Sequence, residues 1–90
     1  REYQGTLSVT RNGKTCQAWN TDTPHEPNYS SENPSNYPDL SLDAASNYCR
    51  NPDNEPGGPW CYTTDPNIRY EYCHVPLCRK RMVHTCQAHL

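Results

Sequence analysis

NYCRNPDNEPGGPWCYTTDPNIRYEYC, residues 47–73, decides how this chain folds. Within it, Trp60-Cys61-Tyr62-Thr63 and Arg69-Tyr70-Glu71-Tyr72-Cys73 are two short runs rich in aromatic residues, separated by Asp65-Pro66-Asn67. Aromatic residues fit a half-buried pleated surface, and an Asp-Pro-Asn cluster is turn chemistry, so the stretch reads as a β-hairpin. It also carries Cys49, Cys61 and Cys73, with Cys16, Cys78 and Cys86 lying outside it. An even number of cysteines in a short, loop-rich chain reads as a disulfide framework formed in an oxidising compartment. Six cysteines allow about 15 pairings, and their spacing alone leaves the choice open.

Composition explains why crosslinks are needed. The chain has 90 residues, is 32% hydrophobic and has no Phe. A single domain of this size removes a modest share of its surface from water, so restriction of the unfolded state must substitute for a large core. Nine Pro, with many Asn, Asp and Ser, place turns every few residues and leave no room for long regular elements. Seven Tyr and two Trp argue against disorder, which is poor in aromatics. No apolar run reaches the length of a membrane span and no signal peptide is evident, so the sequence reads as an excised mature domain. The formal charge of −2 is unevenly spread. Arg79, Lys80 and Arg81 lie after Cys78, leaving five basic against ten acidic residues over positions 1–78. Such an acidic body fits a cationic partner and not nucleic acid, while the basic tail can act independently.

Near the start, Leu7 and Val9 alternate with hydroxyl residues over 6–10, the pattern of a short strand with one apolar face. Asn12-Gly13 follows as a hairpin signal, with 15–19 as the return strand. Residues 20–39, rich in Asn, Pro and Ser, read as a surface loop, and Asn28-Tyr29-Ser30 inside it is a glycosylation sequon. A helical turn over 42–47 is expected, with Asp43 as its cap.

The 47–73 stretch closely resembles kringle domains of the plasminogen, prothrombin and hepatocyte growth factor type. YQGTLSVTRNGKTCQAWN (residues 3–20), Pro24-His25 and CHVPLC (residues 73–78) fit the same pattern. The resemblance covers residues 3–78 and implies a small disulfide-rich kringle fold, mostly irregular loops with short antiparallel β-hairpins. It also implies the pairings Cys16–Cys61 and Cys49–Cys73. Closing loops of those sizes restricts the unfolded chain by about 3.5–4 kcal/mol each. The family's opening cysteine is missing, and Cys86 stands eight residues beyond Cys78 instead. The expected organisation is a kringle body over 1–78 and a tail over 79–90 that folds back to form Cys78–Cys86. Two readings of that tail stay open. One is a circular permutant, with 79–85 as linker and Leu90 beside Arg1; the other is a truncated kringle with a chance replacement cysteine.

Many kringles bind lysine side chains in a shallow trough, and the resemblance carries that site over residue by residue. Asp53 and Glu55 match the anionic pair that would hold an ammonium through charge-assisted hydrogen bonds. Trp60, Tyr62 and Tyr70 match the aromatic floor, whose ring faces attract a cation. Arg69 matches the group that receives a ligand carboxylate, and Tyr72 is a flanking aromatic. Each residue alone has an ordinary explanation: a turn Asp, a solvated Glu, a core Trp, tyrosines covering disulfides. The full set at family spacing is what favours binding. Tyr70 stands where tighter lysine binders carry Trp, Glu55 where they carry Asp, and a second cation is absent near Tyr29.

Other chemistries fit less well. Cys73, His74, Cys78, His84, Cys86 and His89 match no zinc-finger spacing, so no metal or other cofactor is expected. No nucleophile–base pairing is implied, and kringles are non-catalytic, so no enzyme is expected. The reading is a secreted, extracellular, monomeric module that recognises a lysine-bearing protein or a lysine analogue. The alternatives are a receptor- or heparin-binding kringle, with Arg79-Lys80-Arg81 as the polyanion contact, and a structural spacer.

Overall fold

The computed structural model describes residues 3–75. The expected Cys78–Cys86 bridge, the 79–90 tail with its basic triplet, and the Leu90–Arg1 adjacency all lie outside the described residues. Five short elements follow one another: single 3-10 turns at Ser30–Glu32 and Pro34–Asn36, helix α1 at Leu42–Ala45, and strands β1 (Trp60–Tyr62) and β2 (Tyr70–Tyr72). The two strands pair antiparallel, with Trp60 opposite Tyr72, Cys61 opposite Glu71 and Tyr62 opposite Tyr70. Between them the chain reverses at Asp65, whose side chain accepts the Asn67 N–H at 2.9 Å while its carbonyl accepts from Ile68 N at 3.0 Å. The hairpin expected from 47–73 therefore forms, each strand slightly shorter than the aromatic run that encodes it.

Two disulfides occupy the centre. Cys16 is bonded to Cys61 and Cys49 to Cys73, and the sulfurs of Cys16 and Cys49 touch at 3.9 Å. The core around them is largely aromatic: Trp19 meets Tyr37, Trp60 and Tyr62 edge-to-face at 5.3, 5.2 and 5.8 Å. Such pairs add about 0.5–1.5 kcal/mol each beyond burial, which matters in a chain with few aliphatics.

The first hairpin is slighter than its alternation suggests. One bridge, Val9–Thr15, joins its arms. Val9 is exposed and Thr10 is buried, the reverse of the expected apolar face. The cause is that polar contacts, not apolar packing, orient Thr10. Its hydroxyl donates to Glu71 and accepts the Lys14 N–H. The turn is also not a two-residue Asn-Gly loop. Thr10 N donates to Lys14 O and Gly13 N to Thr10 O, with Gly13 at φ +82°, the three-residue form that places glycine in the left-handed region. Beyond it, Cys16 bridges to Thr63 and Gln17 N donates to Tyr62 O at 2.7 Å, which ties this arm to β1.

Two further expectations are corrected. Residues 20–39 are not simply a surface loop, because Tyr37 is buried against Trp19 and its hydroxyl donates to Ser31 O at 2.6 Å. Helix α1 is capped by Ser41, whose hydroxyl accepts from Ala44 N at 3.2 Å, and not by Asp43, which sits in the first turn. It stops at Ala45 because Ser46 adopts φ +51°.

Arg50 is fully buried, a rare state for a cation. Its Nε and Nη2 donate to the two Asp39 oxygens at 2.8 and 3.1 Å, and Nη1 donates to the carbonyls of Gly5 and Cys49. Tyr3 and Tyr48 lie over its guanidinium at 5.6 and 5.3 Å. The Arg50 hydrogen bonds and charge hold the Asp39 carboxyl below the usual range. A depressed carboxylate contributes stability above its unfolded pKa of about 3.9, and that contribution is lost as pH falls through the lower folded value. Asp39→Asn leaves the Arg50 charge buried with half its partners. We expect it to destabilise the domain by about 3 kcal/mol in urea unfolding at pH 7, with the difference from wild type shrinking below about pH 4.

Candidate functional site

The segment between Cys49 and β1 builds the acidic side of a surface hollow. The Asn51 side chain closes the turn as a clamp, its Oδ1 accepting from Glu55 N at 2.7 Å and its Nδ2 donating to Glu55 O at 2.9 Å. Asn54 takes the left-handed φ of +57° that the tight loop demands. Asp53 and Glu55, one residue apart, are thereby held half-buried on the same small loop. Asp53 is fixed further by Trp60 Nε1, which donates to its Oδ1 at 2.9 Å. The carboxylate of Asp53 pushes the Glu55 pKa up, the main cause being repulsion between the like charges.

Asp53, Glu55, Trp60, Tyr62, Arg69 and Tyr70 line one hollow of about 150 Å³, together with Asn28. Six of the seven residues predicted as a binding set thus converge, brought together by the β1–β2 register and the 51–55 turn. Their roles are more unequal than the sequence suggests. Trp60 and Tyr62 are only 3% and 2% exposed, so the floor is also the core. Tyr70, at 51% exposed, is the ring that a ligand meets most fully, and it leans edge-on against Trp60 at 5.7 Å. The face of Tyr62 is covered by the guanidinium of Arg69, 4.9 Å from the ring centre. Arg69 Nη2 in turn donates to Glu26 O at 2.8 Å. A fixed cation therefore stands over one buried ring while a fixed anion is bonded to its neighbour, with 5.0 Å between the centres of Trp60 and Tyr62.

Tyr72, the seventh predicted residue, does not line the hollow. It stacks edge-on behind Tyr70 at 6.1 Å, lies under Arg11 at 5.5 Å, and is pressed on Gly57, where an added Cβ would stand 2.5 Å from its ring. Its place is to buttress Tyr70. Asn28 and Asn51 are the positions that sequence reasoning missed at the site. Asn51 was readable as a turn asparagine, whereas Asn28 joins only because Tyr62 Oη accepts its backbone N–H at 2.9 Å across 34 residues.

A wider hollow of about 440 Å³ is lined by Trp19, Asp22, Glu32 and Asp43 among others, without a cation or an exposed aromatic face among the described residues. The sulfurs of Cys16, Cys49, Cys61 and Cys73 lie within 4.8 Å of one another, but as disulfides they offer no thiolate for a metal. Cys73 is thereby withdrawn from the cysteine–histidine set considered for zinc.

A domain braced by crossed disulfides, with a charge-lined aromatic hollow and mostly irregular loops, belongs to the class of small disulfide-rich binding modules. The family model of the kringle domain matches residues 1–78, and the chain belongs to the kringle family. Kringle domains are in general non-catalytic and bind proteins, and disulfide-braced domains of this kind are typical of extracellular proteins. Among the described residues no helix is long and apolar enough to cross a membrane.

The carboxylate pair carries a pH signature. Because its folded pKa is raised, Glu55 favours folding below its unfolded pKa, and that contribution is lost as pH rises through the folded value. By NMR, the Glu55 carboxyl is expected to titrate above an ordinary glutamate in wild type and to move back toward the ordinary range in Asp53→Asn.

Proposed function

We propose that this kringle docks onto partner proteins by taking lysine side chains into the Asp53–Glu55–Trp60–Tyr62–Arg69–Tyr70 hollow. The observation that carries the reading is the pairing of two half-buried carboxylates with an exposed tyrosine ring in one small depression. Asp53 and Glu55 would hold the ammonium, and its arrival would relieve the repulsion that raises the Glu55 pKa. Tyr70 would cover the methylene stem, with Trp60 beneath it holding Asp53 in place. Tyr62 acts less as a contact face than as the seat of Arg69. Arg69, the sole cation lining the hollow among the described residues, would receive a carboxylate when the ligand has one. A single carboxylate contact means that internal lysines lose little relative to C-terminal ones. The same reading makes the domain a secreted module that acts as a monomer.

Titration with 6-aminohexanoate, followed by Trp fluorescence and NMR, tests the reading. We expect saturable shifts at Trp60 and Tyr70, and roughly ten- to hundredfold weaker binding in Asp53→Asn, as the loss of about 1.5–3 kcal/mol from a charged hydrogen bond requires. Arg69→Ala should weaken 6-aminohexanoate but leave 1-aminohexane, which has no carboxylate, nearly unchanged. Absence of any saturable shift at millimolar 6-aminohexanoate would defeat the proposal.

A further inference from the structure

Asn28 opens the sequon Asn28-Tyr29-Ser30 and also forms part of the wall of the hollow. Its local geometry fixes where a group attached to it would go. The backbone N–H is held by Tyr62 Oη at 2.9 Å, and Oδ1 accepts from Ser31 N at 2.9 Å, which starts the 3-10 turn Ser30–Glu32. The side chain is therefore pinned through its oxygen, while Nδ2 makes no hydrogen bond among the described residues. Asn28 is exposed, and Tyr29 beside it is 86% exposed, so the outward path from Nδ2 is open. The Ser30 hydroxyl likewise has no hydrogen bond among the described residues. The two disulfides require an oxidising compartment, which in eukaryotic cells is where N-glycosylation takes place.

We infer that Asn28 is an N-glycosylation site whose glycan hangs over the hollow and regulates access to it. In the modification, Asn28 Nδ2 attacks the anomeric carbon of a lipid-pyrophosphate-linked oligosaccharide. The new N–C bond replaces the anomeric C–O bond, the lipid pyrophosphate leaves, and Nδ2 gives up one proton. The glycan is bulky and hydrated, and its first sugar is anchored in the wall of a cavity of about 150 Å³. The Tyr62 bond fixes the Asn28 backbone and the Ser31 bond fixes its side-chain oxygen, so the sugar-bearing nitrogen stays at the wall of the opening unless the Ser31 bond breaks. A lysine borne on a protein surface must approach through the same space, whereas a small free analogue can slip beneath the sugar. The domain would then exist as an open, unmodified form and a shielded, glycosylated form. The regulatory part of this inference rests on the lysine-binding reading; the covering of the hollow does not.

The test compares the 90-residue chain secreted from a glycosylating eukaryotic host with Ser30→Ala from the same host. Ser30→Ala abolishes the sequon and keeps Asn28 in the wall, with its Oδ1 still accepting from Ser31 N. Enzymatic removal of the glycan is the wrong control, because it converts Asn28 to aspartate and adds an anion to the hollow. Peptide mass spectrometry should find hexose and N-acetylhexosamine on Asn28 in wild type and none in Ser30→Ala. Oxidation by tyrosinase, a probe of protein size, mapped by peptide, should show Tyr70 at least fivefold less reactive in the glycosylated form. Binding to beads coupled with an internal-lysine peptide on a carrier protein should be at least tenfold weaker for that form, with 6-aminohexanoate changed by less than threefold. An unmodified Asn28, or a modified one with Tyr70 as reactive as in Ser30→Ala, would overturn the inference. If Ser30→Ala itself fails to bind 6-aminohexanoate, the lysine reading falls, and Tyr70 protection still decides whether the glycan covers the hollow.

Discussion

Everything in this domain is arranged about the contact between two disulfides, Cys16–Cys61 and Cys49–Cys73, whose nearest sulfurs are 3.9 Å apart. Each bridge ends on the hairpin region, one in β1 and one just beyond β2, and begins in a segment with little regular structure. The bridges supply what a chain with so few aliphatic residues lacks: a fixed centre against which loops can be packed. Trp19, Trp60, Tyr62 and Tyr37 close around that centre edge-to-face, and backbone hydrogen bonds between Arg50 and Trp60 carry the order outward to the 51–55 turn.

The hollow is therefore an outgrowth of the core. Trp60 stacks on Trp19 with its ring and holds Asp53 with its indole N–H. Tyr62 packs in the same cluster, seats Arg69 on its face, and binds the Asn28 backbone with its hydroxyl. Two buried rings thus set the positions of an anion, a cation and a segment from the opposite half of the chain. The charged groups stand where they are before any ligand arrives, which lowers the ordering cost of binding.

Much of this was legible in the sequence, for identifiable reasons. The β1–β2 hairpin announced itself through aromatic runs flanking Asp65-Pro66-Asn67, and the crossed pairing followed from resemblance, since spacing alone left the choice open. The convergence of Asp53, Glu55, Trp60, Arg69 and Tyr70 came from the same motif. What escaped was decided by contacts distant in sequence. The burial of Arg50 is not legible in the sequence because its partner Asp39 lies in a loop that composition marks as exposed. Thr10 and Val9 exchanged their expected faces because Glu71, sixty-one residues from Thr10, recruits the threonine hydroxyl. Ser41 and Asp43 are both good caps by type, and only the backbone path chose between them.

The double membership of Trp60 and Tyr62 limits how such a module can change over evolutionary time. A substitution at either ring disturbs the core along with the hollow, so drift there is closed off. Tyr70, Glu55 and Arg69 stand at the margin, where exchange alters the shape and charge of the hollow without unpicking the interior. Diversification of partners should then proceed through those marginal positions, above a base that stays frozen.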